Sequence, residues 1–589
     1  MKKREQINEE YKWDLSSYIA NDEEIEEIFK IIDKLIKVLP TYKGKLADKE
    51  MLHEKLTKYR QDFIKITKLG AYLDNMYNVD NSNTKILSLY QRYETAITKL
   101  NQADSYFSPQ LYELSDEYLN SLLKDKRFKN FDGIIKEIIK LKPHKINEQT
   151  NELLAKMNKF LGNNANIHGI ISDSEIEYKD ATDSKGKKHK VDNANYHNLL
   201  RNKDDKLRRS AFESCLTAYG KLNKTFTELY LKDIELDDFY SKLQNYNNML
   251  EKELLGEDVP KIVFDKVIEH VNKNIPLIKD YIKTFAKHSK IKDFTYCDLF
   301  LDNKKSNKVS LDKAKEILLN SLAPLGEEYV SLVKKKLNDK SIDYMPNKNK
   351  RSGAYCMNCY DANTVILMNY ENNFNSVSTI AHEMGHCINA EYFNSAQPYE
   401  KAQISIFAAE MASTVNEILL NIYMQNNGSK ADKIYYIRNL LDEVRSTIYR
   451  QTLFSEFELF AHEKIEKEEP ITYKDLNEYY YNLNKKYYGG ACKLPKFMQY
   501  EWSIIPHFYN AYYVYCYSSG MITAITLASR ILNEKGFNEK YIEFLKNGIN
   551  KPAIEILKEI GIDLTTDEPY ETAFKFISDM LKEYKKLIK

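Results

Sequence analysis

Apolar residues recur at three- and four-residue intervals along most of this chain, and that spacing predicts helices almost throughout. Near the start, Asn21 or Asp22 can cap a helix whose apolar positions are Ile25, Phe29, Ile32, Leu35, Ile36 and Leu39, and Pro40 ends it. The period continues to about residue 160, with polar breaks around 40–50, 80–84 and 141–147. It fails over 163–196. There Asn163 to Asn166 and the polar run Asp180 to Asn193, centred on Gly186, read as a loop or exposed hairpin. A boundary placed there divides the chain into an N-terminal helical domain, 1–195, and a second domain, 196–589. Helical spacing resumes near residue 204 and runs to the end. The main exception is Asn363 to Asn369 (NTVILMN), short, apolar and partly β-branched, which predicts a strand. The chain shows no repeat of fixed period.

Composition narrows the function classes. The 589 residues are 43% hydrophobic and 29% charged, the balance of a globular protein able to bury a large core. Eighteen Gly and thirteen Pro are few for this length, which favours helices over turn-rich sheets. The net charge of +1 gives no whole-chain reason to expect nucleic acid or an anionic membrane as partner. The opening MKKREQINEEYKWDL has charge but no apolar run behind it, unlike a secretory signal. No window approaches the roughly eighteen uninterrupted apolar residues of a spanning helix. Seven scattered cysteines fit reduced thiols in a cytoplasm better than a disulfide framework.

The chemistry gathers after the expected strand. Ser376 can cap a helix that carries His382-Glu383-Met384-Gly385-His386. Residues four apart share a helix face, so both histidines can aim at one ion, and Glu383 sits about 100° round, placed to take a proton from water. A zinc site of this kind wants a third protein ligand. Glu391 is near but lies roughly 140° from His386. Glu410 is the better candidate, a carboxylate among Ile404, Phe407, Ala408, Ala409, Met411 and Ala412, costly to bury unless paired or bound to metal. The alternative to a ligand role is a core salt bridge to some Lys or Arg. Glu417, two turns on, reads either as an acceptor that orients a ligand histidine or as an ordinary helix carboxylate. His462-Glu463 lacks a second histidine and reads as surface charge. Cys356 and Cys359 form a CxxC without the partner pair that a structural zinc needs, so chance spacing or redox sensitivity is expected. Cys387 reads as packing. The run Trp502 to Tyr517 reads as amphipathic core, though His507 with its following tyrosines could supply oxyanion donors.

Taken together, HEMGH, FAAEMASTVNE and IPHFYNAYYVYCYSSG resemble the corresponding motifs of oligoendopeptidase F, in the thimet-oligopeptidase-like family of zinc metallopeptidases. Weaker echoes are Trp13-Asp14-Leu15, Arg208-Arg209-Ser210-Ala211-Phe212 and Arg351-Ser352-Gly353-Ala354-Tyr355. The resemblance implies a mostly α fold: two helical lobes enclosing a deep substrate channel, with a small sheet or hairpin beside the HExxH helix. It implies one Zn²⁺ per chain on His382, His386 and Glu410, with Glu383 as general base. It implies that His507 and Tyr515 bind the substrate carbonyl and its oxyanion, with Tyr509 and Tyr512 in the same substrate-binding segment. The expected activity is cleavage of internal bonds in short unfolded oligopeptides, in the cytoplasm, with a free edge of NTVILMN pairing to the extended peptide. A zinc carboxypeptidase or aminopeptidase of similar fold, or a non-catalytic peptide binder, are the competing readings.

Overall fold

The computed structural model describes residues 1–157, 161–301 and 308–589. Positions 158–160, the last of the N-terminal periodic stretch, lie outside the described residues. The described residues are mostly helical, with two small sheets among them. Among the described residues no helix is long and apolar enough to cross a membrane. Packing separates two compact units, each made of three chain segments: 1–145, 306–423 and 530–561 in unit 1, and 146–305, 424–529 and 562–589 in unit 2. These units do not follow a linear division at 195/196, because the chain leaves each unit and returns to it twice.

Unit 1 begins with a bundle whose first helix, Asp22–Val38, is capped by Asn21, its side chain accepting from the Glu24 N–H. Ile25, Phe29, Ile32 and Leu35 face inward and pack with Leu69, Leu73, Leu122 and Phe128. Trp13 joins the same core and its N–H lies 3.4 Å from Asp343 Oδ2, so the Trp-Asp-Leu motif is a structural anchor. Asp343 is fully buried and is held by both Arg4 and Lys350.

Five short strands occur among the described residues. β1 (Ala181–Thr182) and β2 (Lys188–His189) form the hairpin expected within 180–193, with Gly186 at φ +82° in its turn. Asn164–Ile170, expected as loop, is instead a helical turn, because tertiary contact overrides the weak helix propensity of its asparagines. β3 (Ile342–Asp343), β4 (Tyr355–Met357) and β5 (Val365–Leu367) form the second sheet in the order β3-β5-β4. The strand expected at NTVILMN is therefore present as β5, but both its edges are taken. Ile342 pairs with Ile366 in parallel on one side, and Tyr355 with Leu367 antiparallel on the other. Its three residues are wholly buried, as a central strand's are. Among the described residues, β4 has a strand neighbour on one side only.

Unit 2 is built on an aromatic core. Tyr230 lies 5.7–6.0 Å from the rings of Phe457, Trp502 and Phe508. Its buried charges include paired ones: Arg208 meets Asp298 at 2.6 Å, and Arg450 and Tyr480 both meet Glu501. The Arg-Arg-Ser-Ala-Phe motif thus serves this unit's interior, since Arg209 also reaches Asp298.

Candidate metal centre

The HEMGH helix runs Phe374–Ala396 and starts three residues earlier than a cap at Ser376 would place it. Asn373 is the cap, accepting the Ser376 N–H at 2.9 Å, while the Ser376 hydroxyl accepts the Glu371 N–H. Against it lies the helix Ile406–Asn427, which carries Glu410 and Glu417. Gly385 sets how close the two come. A Cβ there would lie 2.6 Å from the Ala412 carbonyl oxygen and from Ser413 Cα, so only glycine permits this approach. Asn416 ties the pair, donating to the Ala381 carbonyl at 3.1 Å and accepting from Tyr329 at 3.0 Å.

That approach brings together three atoms that could hold one metal ion. His382 Nε2 and His386 Nε2 are 3.3 Å apart, and Glu410 Oε2 is 3.4 Å from the first and 3.5 Å from the second. A tetrahedral ion with bonds of about 2.0–2.1 Å holds its ligands about 3.3 Å apart, so the triangle fits zinc. Two nitrogens and one carboxylate also leave one position open, as catalytic zinc sites do.

Glu417 completes the support. Its Oε2 accepts from His382 Nδ1 at 3.2 Å, which leaves Nε2 as the lone-pair donor, and Ser378 binds its other oxygen at 3.2 Å. Burial lowers the basicity of His382, but the Glu417 hydrogen bond and the charges of Glu417, Glu410 and Glu383 outweigh it and raise the pKa to about 9. Glu410 is held down to about 2, first by its hydrogen bond with His386, although burial opposes this. Ser413 also donates to Glu410 Oε2 at 2.9 Å. The site thus favours positive charge. Glu410 is 53% exposed, so the expectation that it is buried among apolar neighbours fails; its apolar neighbours face the interior while it faces the cavity.

Glu383 is 7% exposed, and burial pushes its pKa up against the lowering effect of the two histidines. It lines the same cavity of about 450 Å³ as His382, His386 and Glu410. Glu391 points elsewhere, pairing with Lys336 at 2.8 Å. The two cysteines of the CxxC go separate ways. Cys356 lines the cavity and hydrogen-bonds the Cys387 thiol, whereas Cys359 packs in the core of unit 1.

The remaining candidates lie in unit 2. His507 is exposed on a short turn, Pro506–Tyr509, and its ring stands 6.0 Å from that of Tyr517, which in turn stands 5.4 Å from Tyr513. Tyr509 packs on His168 at 4.9 Å. Tyr512 and Tyr515 are each 2% exposed and face Phe264 inside the unit. The Tyr512 N–H is held by Glu458 Oε1 at 3.1 Å in a left-handed turn of φ +53°. That turn reverses the side-chain sequence and presents Tyr513 and Tyr517, rather than Tyr512 and Tyr515, on the face of His507. Neither was singled out by sequence, because a helical count through this segment does not anticipate the turn. His462 is likewise not surface charge. It is 1% exposed and its ring packs at a tilt against that of Tyr512, centroids 4.7 Å apart, while Glu463 pairs with Lys467.

Comparison with known proteins places the chain in a peptidase family. The model of peptidase family M3 matches residues 198–576, and that of oligopeptidase F matches 110–178. Oligopeptidase PepF of Bacillus subtilis is 34% identical, over 99% of this chain and 88% of its own. A solved chain from Chlamydophila abortus superposes with a TM-score of 0.94 at 31% identity, covering all of both chains. Oligoendopeptidase F from Enterococcus faecium gives 0.73 at 26% identity, over 96% of this chain and 99% of its own. The chain belongs to peptidase family M3 and is a metallo-oligopeptidase of the oligoendopeptidase F type.

Proposed function

We propose that the chain is a zinc-dependent endopeptidase that hydrolyses internal bonds of short, unfolded peptides. The observation that carries this reading is the 3.3–3.5 Å triangle of His382, His386 and Glu410 with Glu383 in the same cavity. These three residues would hold the zinc, which supplies Lewis acidity toward water and toward a peptide carbonyl. Glu383 takes the proton of the attacking water and delivers it to the leaving amine. Its raised pKa suits both directions of transfer. The peptide pairs with β4 on the side that has no strand neighbour among the described residues, and β4 lines the cavity through Tyr355 and Cys356.

His507 donates to the developing oxyanion in this scheme, and Tyr517 is its partner. Tyr515 was the partner expected by resemblance, but it is 2% exposed and faces Phe264 inside unit 2. Tyr509 and Tyr512 keep a supporting role in that segment. Tyr517→Phe should lower kcat by about 10–100-fold, while Tyr515→Phe should act mainly on stability; the reverse pattern would return the role to Tyr515.

The deciding experiment uses an internally quenched peptide with both ends blocked, together with metal analysis. The wild type should cut it and hold one zinc per chain. Glu383→Gln should keep the zinc and lose about 10²–10⁴-fold in kcat. Cleavage only of peptides with a free end would replace this reading with an exopeptidase.

A further inference from the structure

The face of the HEMGH helix that bears the two histidines does not end with them. Counting from His382, Asn389 and Phe393 fall within about 20° of the same direction, seven and eleven residues on. Both line the cavity that contains the metal-binding residues, as do Ala390 and Ile404. Ala390, Phe393 and Ala402 form a small apolar cluster of their own, with Tyr360 and Ile404 packed on it. The cavity therefore continues from the metal-binding side chains onto an apolar wall.

The segment that supplies Ile404 is firmly seated. Lys401 is buried and pairs with Asp132 at 2.6 Å and Asn550 at 2.8 Å, and the adjacent Glu400 pairs with Arg60 at 2.6 Å. The Lys401 carbonyl accepts the Ile549 N–H at 3.1 Å. Gly548, at φ +57°, makes that approach possible, since a Cβ there would lie 2.3 Å from the same oxygen. On the helix side, the Asn389 amide donates to the Leu545 carbonyl at 2.9 Å. A carbonyl can only accept, so the Asn389 orientation is fixed with its NH₂ turned to Leu545. Among the described residues that line the cavity, the charged or titratable ones are His382, Glu383, His386 and Glu410, with Tyr355 and Cys356 beside them; Asn358, Asn389, Ala354 and the wall itself are neutral.

We propose that Asn389, Ala390, Phe393 and Ile404 form a subsite that selects an uncharged, apolar side chain on the substrate residue flanking the scissile bond. This rests on the peptidase reading above. A charged side chain entering the subsite would lose its hydration and find no opposite charge among these four residues, whereas an apolar one gains burial against a wall already held in place.

The test compares a blocked, internally quenched peptide series varied at one residue on either side of the scissile bond. Affinity of the same peptides for the Glu383→Gln protein is measured alongside. At one of the two positions the wild type should favour Leu, Met or Phe over Asp, Glu or Lys by about 100-fold in kcat/KM. The order should recur in the affinities. Ala390→Leu, which narrows the subsite, should shift the Leu-to-Ala preference by about tenfold toward Ala. Ile404→Lys, on the seated segment, should shift the Leu-to-Glu preference by about tenfold toward Glu and does not require the buried helix face to repack. Indifference of the wild type at both positions would overturn the subsite, and so would variants that hold metal but slow every peptide equally. If only peptides with free ends were cut while the apolar preference persisted in the affinities, the endopeptidase reading would fall and the subsite would stand.

Discussion

His382 offers a metal the lone pair of Nε2 only while Nδ1 keeps its proton, and the Glu417 carboxylate at 3.2 Å is what keeps it there. Glu417→Ala should therefore weaken zinc by about 10–100-fold without touching the ion itself. Competition with a metal-sensitive dye measures this, and unchanged affinity would reduce Glu417 to an ordinary helix carboxylate. Glu410→Ala removes a ligand and should lose the metal outright; a retained stoichiometric ion would exclude Glu410 from coordination. The two substitutions separate because in the proposed site one residue aims a ligand and the other is one.

The metal helix and its partner show which elements can be read from sequence. HEMGH needs only the 3.6-residue period to place two histidines on one face, and Glu410 stood out as a carboxylate in an apolar run. Both follow from local rules. The start of that helix did not, since Asn373 and Ser376 are both competent caps and the Glu371 N–H decides by taking the Ser376 hydroxyl. The strand at NTVILMN was legible, but its place between β3 and β4 was not, because pairing depends on Ile342 and Tyr355 from distant segments. The function of Gly385 also emerges only between elements. Gly385→Ala would bring a methyl to 2.6 Å of the facing backbone, which has no side chain to yield. Forcing the helices apart should pull Glu410 out of the triangle, so zinc affinity should fall by more than about tenfold even though alanine favours an isolated helix. A variant of normal zinc affinity and melting temperature would show that the approach is not what sets the site.

At the scale of the whole molecule, His462 shows why burial and pH response escape a linear reading. An HE pair on a polar-looking helix suggests solvent, yet the chain folds unit 2 from three separate segments, and the Tyr512 turn covers the imidazole. Burial pulls its pKa down from 6.5 to about 3, so it is neutral in the folded state near neutrality. The unfolded chain binds a proton near pH 6.5 and the folded chain only near 3. Below about pH 6.5 the unfolded state thus holds more protons, and stability falls as pH falls through that window. At pH 5 the deficit is about 1.5 pH units, or about 2 kcal/mol. Asp237 acts in the opposite sense. Its pKa is raised to about 7, chiefly by burial, so its contribution is present below about pH 3.8 and lost as pH rises through 7. Comparing a His462→Phe variant with the wild type cancels the Asp237 effect, since both proteins carry it. Phenylalanine keeps the ring against Tyr512 and removes two ring nitrogens that have no partner. The drop in melting temperature from pH 7 to pH 5 should therefore be smaller in the variant by about 2 °C. Equal drops in the two proteins would mean that His462 is hydrated or paired in solution and that the acid sensitivity of unit 2 lies elsewhere.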